Sequence, residues 1–547
     1  MAVQTKIPVF QTGSERLLER EAQLSNIYAG MWLAATVESS IGPKGRRKIL
    51  YDPSTGQVRA TKDGATILTN ISITHPVAQM VADAAMAQDE NVGDGTKSVA
   101  IFAGKLMEYA EDLLKLGLEA NKIVDGYRFA MDRAIEITEE ISDTLDYEDK
   151  ETLRRIAKGA MSTKLTGDVV EKYEDIVLQT IDYLRVQVDD RYDIEFDNLK
   201  IIGKLGGSVA DTEMVDGVIV DGEVARSDMP RKMRNAQIAL IANAIEVDIP
   251  VEKVRVETVE KFDEFVAAER KLVEDSINRI VDLGANVVFC EGAIDVAAQH
   301  YFAKNGVLAI QNVDRSDILK LANATGAIPV LDIDDITEDD LGKAGVVEEK
   351  KVASAAPGVL TGEEAEQERW GSMIFVQNVP NKEACTILVR GATQAIIDEG
   401  IVALSDAMFA VRNVLVDNKY VPGGGGYEIE VARRLWEYAE DIEGEERNAL
   451  EKFADAMKAI PTAIAKNAGM DVMRTIAELI ERHEKGEIRS GINVDTAAIE
   501  DMTNVVIEPS MVKRHAIVAA AENAMMLLRS NDMFILTMSE AEHEATM

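Results

Sequence analysis

Helical periodicity at both ends of this chain encloses a middle of alternating short apolar runs and helical stretches. Nothing else in the sequence limits the available folds as strongly. Residues 98–117 set Phe102, Leu106, Tyr109, Leu113 and Leu116 at alternating spacings of four and three, which is one face of a helix. Residues 395–416 repeat the pattern with Ile397, Ile401, Leu404, Met408, Val411 and Leu415, and Asp406 falls between stripe members near the opposite face. Pro76, after Thr74-His75, predicts a helix start, with Val77, Met80, Val81 and Ala84 on one side. Lys48 to Tyr51 and Val58 to Thr61 read as short strands, and Asp63-Gly64 as a further turn. The middle differs. Short β-like runs occur at 199–202, 217–220, 238–241, 286–290, 306–310 and 327–331, with helical stretches between the later ones. That alternation predicts a parallel or mixed sheet. The fold class is therefore multi-domain α and α/β: a mostly helical domain from both termini, with an α/β domain inserted.

Composition narrows the function. The 547 residues offer roughly three or four domains' worth of chain. Aromatics are scarce at 5%, so the cores must rely on Ala, Val, Ile, Leu and the 22 Met. A formal charge of −37 argues against a general nucleic-acid binder, which needs a basic face. Cys290 and Cys385 are the only cysteines, so no disulfide framework is implied and a reducing cytoplasm is the expected location. Residues 1–10 lack a signal pattern, and no apolar run approaches the roughly 18 residues of a membrane span.

The chemistry gathers at glycines. Asn91-Val92-Gly93-Asp94-Gly95-Thr96-Lys97-Ser98 places an acid between two glycines just before a helix. Backbone N–H groups and the helix N-terminus there make a seat for phosphate, and the acid is suited to a magnesium ion. Each motif also has an ordinary reading. The 93–96 turn can simply join two helices. Asp63-Gly64 is a common hairpin turn, and Gly42-Pro43-Lys44-Gly45 can end a helix. Gly423 to Gly426 reads by default as a flexible or tightly turned loop, and Asp406 as a solvated acid. The five histidines show no metal spacing, and the GxxxxGK[ST] loop is absent.

The set is more specific than its members. Gly42-Pro43-Lys44-Gly45, Lys62-Asp63-Gly64-Ala65-Thr66-Ile67-Leu68, Gly93-Asp94-Gly95-Thr96, Gly423-Gly424-Gly425 and Asn467-Ala468-Gly469-Met470-Asp471 occur in the order seen in chaperonins, as do Gly206-Gly207-Ser208 and 284–290. Over essentially its whole length the chain resembles a group II chaperonin subunit of the thermosome type. The resemblance implies an equatorial ATP-binding domain (1–147 and 401–547), an intermediate hinge domain (148–214 and 371–400) and an apical substrate-binding domain (215–370). A lid protrusion would lie at about 245–277, with Val259, Phe262, Phe265, Val266 and Leu272 divided between helix packing and a contact surface. It further implies ATP and Mg2+ as cofactors, with potassium left open.

Carried over by position, Gly42 and Pro43 meet the phosphates and Asp94 holds Mg2+. Gly95, Thr96, Lys97 and Ser98 meet phosphate oxygens, with Gly64 and Lys164 also at the nucleotide. Gly424, Asn493 and Glu508 face the base and ribose. Asp63 and Asp406 orient the attacking water, and hinge closure would bring Asp406 in. The implied partners are the chain itself or paralogous subunits in a double ring, non-native proteins, and prefoldin as an open delivery partner. No nucleic acid or membrane is implied.

The chain departs from the family pattern in places. Lys97 stands where threonine is usual, and its ammonium is placed either to grip a phosphate or to slow product release. Asp168 stands where a lysine is expected after Thr166-Gly167, with Lys164 as the substitute on offer. Segment 353–370 reads as a long surface insertion. The alternative function is a structural or assembly subunit that binds nucleotide with little turnover. A small-molecule kinase would lack a recognisable acceptor site.

Overall fold

The computed structural model describes residues 15–56, 58–165, 167–189, 191–245, 259–353, 370–380, 384–530 and 532–535. The chain divides into two compact units, residues 1–166 with 406–547 and residues 167–405.

The first unit is helical, as the end-to-end periodicity predicts. Helices Glu19–Glu38, Pro76–Val92, Thr96–Lys115 and Ala120–Ile141 pack with Glu446–Met457 and Ser510–Leu528. Their apolar faces form one core in which Ile27, Val81, Leu106 and Tyr127 meet Phe453 and Ile517. The rings of Phe102 and Phe453 meet edge to face at 5.2 Å. Of the predicted stripe Phe102, Leu106 and Leu113 are buried and Tyr109 is half-buried, but Leu116 is 76% exposed. The helix stops at Lys115 and the backbone turns at Gly117 (φ 96°), which throws Leu116 outward. Pro76 begins its helix at the first position, and the His75 ring accepts from Val77 N–H as the cap.

The two predicted early strands pair antiparallel, Lys48 opposite Thr61 and Tyr51 opposite Val58. Asp63-Gly64 is not a hairpin turn. Asp63 is the N-cap of helix Gly64–Asn70, and its carboxylate accepts from Thr66 N–H at 2.8 Å. Helix Lys150–Ser162, which the resemblance gave to a hinge domain, lies within the first unit.

The second unit holds a six-stranded sheet, a three-stranded sheet and the antiparallel hairpin of Arg185–Val188 with Arg191–Ile194. The larger has the strand order Leu308–Ile310, Val287–Cys290, Lys232–Ile241, Gly342–Ala353, Trp370–Gln377 and Val218–Asp221. Its first two pairings are parallel and the other three antiparallel, so the sheet is mixed. Residues 287–290 and 308–310 are buried on both faces, which explains their unbroken apolar runs. The run 327–331 is not a strand. It makes one bridge, Val330 to Ile241, because Pro329 lacks a donor, and Leu331 points to solvent. The smaller sheet sets Cys385–Gly391 parallel to Leu199–Leu205 and antiparallel to Glu213–Asp216.

Of the expected lid segment, residues 246–258 lie outside the described residues, as do the side chains of Val259, Phe262, Phe265 and Val266. Helix Val259–Asp282 is present, with Val273 and Ile277 buried and Leu272 exposed. Residues 354–369 of the expected insertion also lie outside.

Candidate active site

All the predicted site residues fall in the first unit. Helix Pro76–Val92 ends at Gly93 (φ 70°), and helix Thr96–Lys115 begins after Gly95 (φ 93°), which leaves Asp94 alone at the bend. A Cβ on Gly93 would come within 2.2 Å of the Phe409 ring, so glycine is required there by both dihedral and space. No side chain caps the N-terminus of the Thr96–Lys115 helix. Thr96, Lys97 and Ser98 form its first turn, whose N–H groups have no acceptor within the helix, the usual seat for an anion. Thr96 Oγ1 donates to Asp89 at 3.1 Å.

The bend is braced by residues the motif reading missed. Gln88 Nε2 donates to the carbonyl of Asp94 at 2.8 Å and to that of Val512 at 3.2 Å, while its Oε1 meets His515 Nδ1. Asn413 Nδ2 donates to Val92 O at 2.8 Å. Gln88 had a faint signal. Positions 77, 81, 85, 88 and 92 are the buried face of their helix, and Gln88 is the one polar residue among them.

Three charged residues meet beside the bend. Lys164 Nζ pairs with Asp63 at 2.9 Å and with Asp406 more closely still. Asp406 is only 8% exposed, so it is not the solvated acid that its place on the helix suggested. It begins the second stretch of this unit and already touches Lys164 and, through it, Asp63. Burial raises the Asp63 carboxyl, but the Lys164 charge and the Thr66 donors outweigh it and hold the group at about 2. Burial pushes Asp406 up to about 8 against the pull of Lys164, with Asp94 and Asp63 adding to the rise. Burial alone would lower Lys164, yet the two aspartates hold it above the ordinary lysine range. Asp89, a fourth acid absent from the motif set, is also raised, by burial and then by Asp63.

The charge of Asp94 is felt at Asp406, Lys97, Asp89 and Glu508, so it belongs to the same centre. One of its oxygens accepts from Gly95 N–H at 2.6 Å. Among the described residues no three acidic, histidine or cysteine side chains converge tightly enough to hold a metal alone. Magnesium bound through one carboxylate, with phosphate and water as its other ligands, fits that arrangement.

The remaining loops surround this centre. Gly42 (φ 78°) turns the chain, and Asn467 Nδ2 holds that turn through Glu38 O at 2.9 Å and Ile41 O at 3.0 Å. Pro43 O accepts from Lys62 Nζ at 3.1 Å. The glycine run is a tight turn. Gly424 O accepts from Ile492 N–H at 2.8 Å, and a Cβ on Gly423 would lie 2.8 Å from Glu508 Oε1. Glu508 and Glu428 both pair with Lys513, at 2.5 and 2.8 Å. Asn493 is engaged within its own hairpin, donating to Glu500 at 2.9 Å and accepting from Asp495 N–H at 3.0 Å. Lys97 Nζ donates to main-chain carbonyls of Lys62 and Ser40. The side chain of Asp168, first in its helix, lies outside the described residues.

Residues 33–537 match the pattern of the TCP-1/cpn60 chaperonin family. The chain belongs to that family. A thermosome subunit of Methanopyrus kandleri is 41% identical over 535 residues, covering 96% of this chain and 94% of its own. A thermosome subunit beta of Methanothermobacter thermautotrophicus is 41% identical over 545 residues, covering 99% and 97%. A thermosome subunit alpha of Archaeoglobus fulgidus is 38% identical over 532 residues, covering 97% and 94%. The chaperonin is therefore of the group II, thermosome type. No helix among its described residues is long and apolar enough to cross a membrane.

Proposed function

We propose that this chaperonin subunit hydrolyses ATP to drive a double-ring folding chamber, built with itself or paralogous subunits in the cytoplasm. In that chamber non-native proteins are enclosed and refold apart from one another. The observation that carries the ATPase reading is Lys164 bridging Asp63 and Asp406 beside an uncapped helix N-terminus.

The N–H groups of the Thr96–Lys115 helix receive the phosphates, with the Gly42-Pro43 turn on another side. Asp94 would hold magnesium, which when bound neutralises phosphate charge. Gly424 and Glu508 line the nucleoside side; Asn493 contributes the hairpin that supports them. Water attacks the γ-phosphorus, the bond to the bridging oxygen breaks, and the proton of the water passes to a carboxylate. Asp406 suits that role because burial raises its proton affinity, whereas Asp63, held ionised, orients the water. Lys164 fixes both carboxylates.

The test is Asp406→Ala. Nucleotide binding and ring assembly persist, seen by titration and by electron microscopy, while ATP turnover falls by about 100-fold or more. Unchanged hydrolysis would remove Asp406 from the mechanism. Assembly without measurable turnover in the unmodified protein would favour a purely structural subunit.

A further inference from the structure

Two lysines enter this site, and they do different things. Lys164 meets carboxylates. Lys97 meets carbonyls: its Nζ donates to Lys62 O at 3.1 Å and to Ser40 O at 3.5 Å. Those two oxygens belong to separate turns, one leading into Gly42 and the other into Asp63-Gly64. The absence of a side chain on Gly64 makes room for this path, since a Cβ there would lie 2.8 Å from Lys97 Cγ. The ammonium therefore ties the phosphate-side turn, the Asp63 turn and the first turn of the Thr96–Lys115 helix together.

Main-chain carbonyls facing a common point are the ligands that replace the hydration shell of a potassium ion. They suit a singly charged cation of modest field, which a lysine ammonium also is. Burial, and then the repulsion of Lys164, lowers the proton affinity of Lys97, and Asp94, Asp63 and Asp406 offset part of that by stabilising positive charge at this point. Lys97 spends its ammonium on these carbonyls.

We infer that Lys97 is a tethered monovalent cation, its ammonium filling the carbonyl pair of Ser40 and Lys62 so that nucleotide binding needs no free potassium. The inference rests on the ATPase reading and specifies its ion requirement.

The experiment compares full-length protein in potassium chloride and in sodium chloride at equal ionic strength, following MgADP affinity by titration and ATP turnover in parallel. Wild-type affinity changes by less than about twofold between the salts, whereas Lys97→Thr loses at least about fivefold in sodium and regains it in potassium. Lys97→Met, which fills the space with an apolar chain, is weakened in both salts. Thermal melting without nucleotide checks that each variant is folded. A wild-type protein that needs potassium overturns the inference without any variant. So does a Lys97→Thr protein indifferent to the salt, or one weakened equally in both. Wild-type protein that binds no MgADP in either salt overturns the nucleotide reading, and the Lys97 inference with it.

Discussion

At the scale of single residues, the site depends on positions where only one side chain fits. Gly93 combines a positive φ with the Phe409 ring in the space a Cβ would take. Gly93→Ala should therefore destabilise the protein by about 1–3 kcal/mol, read from denaturant midpoints, and weaken MgADP binding as the bend shifts. Such glycines are legible in a sequence because left-handed backbone leaves almost no other choice. Gln88 was not legible in that way. What makes it matter is the Val512 carbonyl 424 positions along the chain, together with the His515 ring. Asp406 misled for the same reason. Its helix spacing placed it on a polar face, and only the arrival of Lys164, from the turn that follows helix Lys150–Ser162, turned that face inward.

At the scale of elements, much of the framework around the glycine turn at 423–426 is ionic. Glu430, on helix Gly426–Ala439, is buried with 1% of its side chain exposed and receives His483 Nδ1 at 2.9 Å and both Arg433 and Arg434. His483 Nε2 bonds in turn to Ser490 O, at the start of the strand that carries Asn493. Burial raises the Glu430 carboxyl, but these donors outweigh it and hold it at about 2, below its ordinary 4.5. A depressed carboxylate stabilises the fold fully above its unfolded pKa and loses that contribution as pH falls through its folded pKa. The contribution, about 2–3 kcal/mol, is thus complete above about pH 4.5 and disappears towards pH 2. Melting Glu430→Gln and wild type across that range should give curves that converge as pH falls. Curves that stay parallel would show that Glu430 is not the titrating group. The helices themselves were readable from spacing, and so were the two strands about residues 52–56. The 327–331 run misled because an apolar stretch of that length says nothing about whether a neighbour can pair with a backbone that contains Pro329.

At the scale of the whole chain, one unit is continuous in sequence and the other is not. Residues 167–405 form their core from their own stretch, with Val218, Ile238, Phe289 and Ile374 in one cluster. The other core joins Ile27 and Leu106 to Phe453 and Leu528. Expressed alone, residues 167–405 should melt as a cooperative unit in calorimetry, whereas residues 1–166 alone should not, because Phe453, Ile517, Leu528 and other members of their core lie beyond residue 405. A cooperative transition from the 1–166 fragment would contradict this division. The same discontinuity divides the site. Asp63, Asp94 and Lys164 come from the first stretch, and Asp406, Gly424 and Glu508 from the second.

By itself the sequence determined the helical ends, the mixed-sheet middle, the glycine turns and the family, because periodicity, positive-φ demands and ordered motifs are local properties of a chain. The tertiary structure alone decided which charges meet. Lys164 became the bridge between Asp63 and Asp406, Lys97 turned to the carbonyls of Ser40 and Lys62, and Asn493 was spent on its own hairpin. A charge acts on whatever packing brings within a few ångströms of it, and those neighbours lie tens to hundreds of residues away along the chain.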